Sequence, residues 1–180
     1  MIFGDPYRFA VLIQHLPEWS DDTYKNGLFH FCIDGFFFPE EIRTSTLWVD
    51  VFSLKDNTNA LFSFQENKAL FEKGTKDAFN FMLGMISPEL IGQDEPENFE
   101  QSYQYQASTE NINDAGFVVF AVSHGDMVRI LGAKYSELKQ DEHGNGFWET
   151  ITNPDIKEAI LYKSEVNEII SKAFEYYSTI

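Results

Sequence analysis

One uninterrupted apolar run constrains this chain more than any other stretch. Phe117 to Val122 reads FVVFAV. It is far shorter than the ~20 apolar residues of a membrane helix, and it is rich in β-branched and aromatic side chains. Such a run predicts a strand covered on both faces. Ser123-His124-Gly125-Asp126 follows, where Gly and Asp tolerate turn conformations, and Met127 to Tyr135 returns as a second strand. Gly116 to Tyr135 therefore predicts a central antiparallel hairpin that other elements must cover.

The flanking chain supplies candidates for that cover. Tyr7 to Leu16 alternates, with Phe9, Val11 and Ile13 on one side and Arg8, Ala10, Leu12 and Gln14 on the other. Period two predicts a strand, and Pro17 ends it because proline donates nothing to a ladder. Glu18 to Gly27 is polar and closes on the turn dipeptide Asn26-Gly27. Leu28 to Asp34 predicts a strand with Phe29, Phe31 and Ile33 on one face and His30 and Cys32 on the other. Asp34-Gly35 then reads as a two-residue hairpin turn into Phe36 to Phe38.

Further along, a short helix is predicted from about Trp48 to Leu54. Asn59 to Lys73 fits either a hairpin or a helix start. Thr75 to Ile86 carries Ala78, Phe79, Met82, Leu83 and Ile86 at helical spacing, with Thr75 as cap and Ser87-Pro88 as stop. Pro88 to Gln101 reads as an exposed acidic loop. Ser102 to Thr109 alternates like a strand, Asn111 to Asp114 turns, and Leu138 to Gly146 reads as a polar loop. Phe147 to Ile151 fits a short strand or a packed Trp148. A last helix is expected from Asn153, with Pro154 at its first position, through Ile156, Ala159, Ile160, Val166, Ile169, Ile170 and Ala173 to Tyr177.

Together these elements predict an α+β fold: an antiparallel sheet with helices packed on one side, including a long C-terminal helix. At 180 residues the expectation is a single domain over 1–180, large enough to bury a core without disulfide or metal staples. Cys32 is the lone cysteine, and MIFGDPYRFA lacks the basic and apolar regions of a signal peptide. Both point to a cytoplasmic protein.

Charge narrows the function. Thirteen Lys and Arg face 29 Asp and Glu, a formal net charge of −16. A chain this acidic repels nucleic acid and anionic membranes and attracts basic partners. The charges are also unevenly placed. No Lys or Arg occurs between Lys76 and Arg129, while Asp77, Glu89, Asp94, Glu95, Glu97, Glu100, Glu110, Asp114 and Asp126 all do. Asp94, Glu95, Glu97 and Glu100 are candidate contacts for a basic protein. Trp19, beside Asp21 and Asp22 in a polar loop, is a second candidate, since an exposed Trp rimmed by acids suits a binding hot spot.

Catalytic motifs are missing from the sequence. It has no phosphate-cradling glycine loop, GxSxG elbow, HExxH helix or CxxC pair, and no cofactor is expected. His30 and Cys32 share a strand face, and His124 ends another strand. A small enzyme using these three is one alternative function, and a regulatory protein-binding module is another.

The N-terminal third resembles a known family. MIFGDPYRFAV, PEW at Pro17 to Trp19, KNGLFHFCIDGFFFP at Lys25 to Pro39, and RTSTL at Arg43 to Leu47 are similar to immunity proteins of bacterial polymorphic toxin and contact-dependent growth inhibition systems (CdiI-like). The resemblance implies a cytoplasmic antidote without catalysis, which binds the C-terminal toxin domain of its own system. With the charge, it implies that the toxin is basic, as a nuclease would be. It transfers no contact residues.

Overall fold

The computed structural model describes all residues 1–180. In chain order the elements are β1 (Ile2–Asp5), β2 (Phe9–His15), β3 (Asn26–Ile33), β4 (Phe36–Phe38), β5 (Ser45–Thr46), α1 (Leu47–Ser53), α2 (Lys68–Phe71), α3 (Thr75–Ile86) and α4 (Glu110–Asn113). They continue with β6 (Phe117–His124), β7 (Met127–Lys134), β8 (Ser136–Gln140), β9 (Gly146–Thr150), β10 (Lys157–Tyr162) and α5 (Lys163–Tyr177). The fold is α+β with wholly antiparallel strand pairing, and it ends in the expected C-terminal helix. The strands divide among three sheets: β1-β2-β3-β4 with β5 on β3, β10-β7-β6, and β8-β9 by itself.

The apolar run occupies the position its composition demanded. Phe117, Val119 and Ala121 enter one core, and Val118, Phe120 and Val122 enter the other. The first core fills the space between the β6-β7-β10 sheet and the β2-β3 face that carries Phe9, Val11, Ile13, Phe29, Phe31 and Ile33, with α1 and α5 closing its sides. The second lies between the opposite face of β6-β7 and the Ala78, Phe79, Met82 and Leu83 stripe of α3. The two large sheets approach closely at Gly132, where a Cβ would meet Ile33 Cδ1 at 2.8 Å and Phe38 Cε1 at 3.0 Å. Asp34 and Gly35 both have left-handed φ, +51° and +81°, as the predicted hairpin turn requires.

Five expectations are corrected, each because a distant partner outweighs a local signal. Asn26-Gly27 is not a turn but the start of β3. Glycine is needed there because a Cβ would stand 2.0 Å from the Gln14 carbonyl oxygen. The region expected to begin the last helix, Asn153 to Tyr162, contains β10. Lys157–Tyr162 pairs along the open edge of β7, sends Ala159 and Leu161 into the core, and delays the helix to Lys163. Leu138 to Gly146 is the tip of a hairpin: 141–145 form the expected polar loop, but Leu138, Lys139, Gln140 and Gly146 belong to the paired strands β8 and β9. Ser102 to Thr109 pairs with β6 only locally, through Ala107 N–H to the Val119 carbonyl (2.8 Å) and Ala121 N–H to the Tyr105 carbonyl (2.9 Å). With the Gln65–Asn67 contacts to Ser123, it covers the β6 edge that would otherwise stay unpaired. Thr75 is not a cap. Its hydroxyl donates to Glu158 Oε2 at 2.6 Å, and Gly74 precedes the helix.

Two of the remaining readings resolve into single helical turns, α2 at Lys68–Phe71 and α4 at Glu110–Asn113. Asn67 starts α2 with its side-chain oxygen accepting from Leu70 N–H at 3.0 Å. The third, the short helix from about Trp48, is α1.

A surface knot joins the β6-β7 turn to α5. Glu66 accepts from the Gly125 amide (2.9 Å), from His124 Nδ1 (3.0 Å) and from Lys163 Nζ (3.3 Å). These partners, the Gly125 amide first, lower its carboxyl from 4.5 to about 2. A depressed carboxylate stabilises the fold above its unfolded pKa, and that contribution disappears as pH falls through the folded value. The melting-temperature gap between wild type and Glu66→Gln is therefore expected to be widest above pH 5 and to close between pH 4.5 and 2. A gap that stayed constant with pH would show that the carboxylate charge contributes nothing.

Candidate protein-binding surface

The acidic segment is held at both ends and exposed between them. Pro88–Ile91 forms a 3-10 turn against α3. There Gly84 makes room for Ile91, whose Cδ1 would lie 2.7 Å from a Cβ on that glycine. At the far end the Ser102 amide donates to the Met85 carbonyl at 2.8 Å, and Gln101 Nε2 donates to the Ile86 carbonyl at 2.8 Å. Glu89, Asp94, Glu95, Glu97 and Glu100 are all exposed on this strap.

The charges there are unopposed within the chain. Ion pairs engage Arg8, Lys68, Arg129, Lys134, Lys139, Lys157, Lys163 and Lys172, and every acidic partner lies outside 77–128. The histidine pairs, to Glu66 and Glu142, lie outside it as well. So none of the nine acids from Asp77 to Asp126 has an ion-pair partner. Their field is screened only by solvent, over a Debye length of about 8 Å at physiological salt.

The Trp19 loop lies elsewhere. Pro17–Trp19 is a 3-10 turn following β2, in the five-stranded sheet, whereas the acidic strap belongs to α3 on the far side of the β6-β7-β10 sheet. The fold therefore does not bring the two candidate sets together. Trp19 is 46% exposed, and its carbonyl accepts from Asn26 Nδ2 at 2.7 Å. Asp21 Oδ1 accepts from the Tyr24 and Thr23 amides, both at 2.7 Å, and these hold its carboxyl below the usual range. Asp21 thus shapes the loop, and both Asp21 and Asp22 are exposed.

His30, Cys32 and His124 each have separate surroundings. His30 is buried, with Nδ1 2.8 Å from the Pro39 carbonyl and its ring edge-on to Phe37. Burial lowers its pKa, against the opposing pull of that carbonyl and of Asp50. Burial also pushes the Cys32 thiol up to about 11, which makes it a poor nucleophile near neutrality. His124 sits on the other sheet with Glu66 and Phe71. No three His, Cys, Asp or Glu side chains group to hold a metal. A buried polar knot that sequence reasoning missed fixes α1: Asp50 accepts from Ser45 Oγ and from the Asn111 amide (3.2 Å), and burial raises its carboxyl pKa. Nothing in the local pattern around Asp50 announces this, because the Asn111 amide lies 61 residues away.

Two large apolar side chains, Leu138 from the expected polar loop and Trp148 from the stretch read as a short strand or a packed Trp, stand exposed on β8 and β9. The sequence over residues 1–176 matches the family described as Immunity protein 42.

The chain belongs to the Immunity protein 42 family.

The fold agrees with a solved relative. The Immunity protein 42 chain is similar to the crystal structure of CdiI from Burkholderia dolosa AUO158, with a TM-score of 0.66 and 19% identity. The likeness covers 96% of this chain and 99% of that one. At this identity the likeness speaks to the fold. No curated protein matches. No helix is long and apolar enough to cross a membrane.

Proposed function

We propose that this Immunity protein 42 chain acts in the cytoplasm as one domain, binding the C-terminal toxin domain of its own system and neutralising it without chemistry. The toxin is basic and of nuclease type, and the immunity protein covers its phosphate-binding surface with carboxylates. Neither nucleic acid nor membrane is a partner. The observation that carries this reading is the set of nine acids without ion-pair partners, exposed most densely from Glu89 to Glu100. Asp94, Glu95, Glu97 and Glu100 are its principal contacts, and Trp19, Asp21 and Asp22 form a separate second contact area. Leaving a charge unpaired on a surface costs little, whereas pairing it with a partner's Lys or Arg speeds encounter and fixes orientation.

Growth rescue tests the reading. The toxin domain encoded immediately upstream is induced with and without this chain, and the pair is then co-purified. Rescue together with a complex whose association slows with added salt is the expected outcome. Failure of both rescue and complex formation would refute the reading.

A further inference from the structure

We propose that the β8-β9 hairpin is the apolar anchor of the toxin interface, with Leu138, Trp148 and the cleft beside Trp148 receiving a Lys/Arg-rich surface of the toxin. This rests on the function proposed above.

The hairpin is built unlike the rest of the molecule. It is a sheet by itself, and a lone two-stranded ribbon is marginal in water. All five residues of β9 are exposed. Its backbone attachment is at the base, where the Ile151 amide donates to the Tyr135 carbonyl (2.8 Å) and the Tyr135 amide to the Gly116 carbonyl (2.9 Å), and one edge of the Trp148 ring packs there, its Cζ3 2.9 Å from where a Cβ on Gly116 would stand. Leu138 and Trp148 stand directly opposite each other, so they share one face. They are 61% and 53% exposed, although each would contribute heavily to a core. The opposite face carries Phe147 across from Lys139.

The Trp148 face overlooks a cleft of about 630 Å³, whose other walls include Leu90, Tyr135, Asp114 and Arg43. Leu90 is part of the acidic strap. A second cleft of about 240 Å³ continues from Leu90 and Thr150 past Glu89. The apolar anchor and the unpaired acids therefore border one another. The hairpin loop adds Asp141 and Glu142, and the hairpin's one lysine, Lys139, is already committed to Glu137 (2.8 Å) and Glu149 (3.6 Å) on the Phe147 face. Arg43 is the single cation in the larger cleft.

Charge selects the occupant. A second copy of this chain would bring the same acidic surface against itself, at −16 per chain, so self-association is opposed. A basic partner gains both the apolar contact and the electrostatic one. Exposed Trp beside a cleft, ringed by polar groups that exclude water, is the arrangement in which truncation costs most.

The test uses the whole chain and the co-expressed toxin domain. Trp148→Ala is expected to weaken binding about 30-fold or more, and Leu138→Ser to weaken it in the same direction. Phe147→Ser, on the other face of the ribbon, and Trp48→Ala, on the exposed side of α1, are expected to leave affinity unchanged. Hydrogen exchange on the unmutated pair removes the ambiguity of a misfolded variant: toxin is expected to protect the amides of 136–140 and 146–150. A tight wild-type complex with no such protection, or with full affinity retained by Trp148→Ala, would overturn the anchor but leave the immunity reading standing. Absence of any wild-type complex would overturn both. A concentration-dependent increase in size without toxin, lost in Trp148→Ala, would overturn the anchor in favour of self-association.

Discussion

Arg129→Met is expected to cost about 3 kcal/mol or more of stability, because it removes the buried partner of a half-buried ion pair and strands two carbonyls as well. Only 4% of Arg129 is exposed, yet every guanidinium donor is used. Nε and Nη2 bind the Glu158 carboxylate at 2.8 and 3.2 Å, and Nη2 also reaches Thr75 Oγ1 at 3.0 Å. Nη1 donates to the Phe71 and Lys73 carbonyls at 2.9 and 2.6 Å. One side chain thus ties β7 and β10 to the connection that launches α3. Methionine would fill much of the volume but leave two carbonyls, a hydroxyl and a carboxylate without their donor. Thermal melting should show a drop of roughly 10 °C, given about 2–4 °C per kcal/mol for a chain of this size. Arg129→Lys should recover little, because an ammonium cannot span the fork geometry. The double variant Arg129→Met/Glu158→Leu should be more stable than Arg129→Met alone, since the stranded carboxylate is removed. Its failure to recover would mean that the carbonyl contacts, and not the ion pair, dominate.

Reversing the strap's charge should slow toxin association by about 10–1,000-fold at low salt. Asp94→Lys/Glu95→Lys/Glu97→Lys replaces three exposed carboxylates with ammonium groups at positions that have no internal partner to lose. The fold should therefore be spared, and melting should change little. The diagnostic measurement is the association rate at low and at high ionic strength. For the wild type the rate should fall steeply as salt rises. For the variant it should start low and change little or rise, because the surviving contacts are short-range. Equal rates and equal salt slopes for the two proteins would show that the strap does not face the toxin.

The elements that sequence reasoning read correctly share one property: their signal is local. Phe117 to Val122 is a doubly covered strand because no polar residue interrupts it, and Asp34-Gly35 turns because few other dipeptides tolerate two successive left-handed residues. The α3 stripe and the alternation of β2 and β3 survive for the same reason. The misread elements depended on neighbours far away in the chain. Ile156, Ala159 and Ile160 fit a helix by spacing, but the open edge of β7 makes Lys157–Tyr162 a strand. Gly27 looks like a turn glycine until the Gln14 carbonyl is found against it.

The candidate surface divides the same way. That the chain is acidic, that one segment of 52 residues carries no Lys or Arg, and that its N-terminal third looks like an immunity protein are properties of residue order alone. Which acids remain unpaired, that the Trp19 loop and the strap lie on different layers, and that Trp148 overlooks a cleft beside Leu90 depend on packing. Charge and periodicity add up along the chain and can be read in one dimension. Pairing, burial and adjacency are decided only when segments far apart in sequence compete for the same edge or the same core.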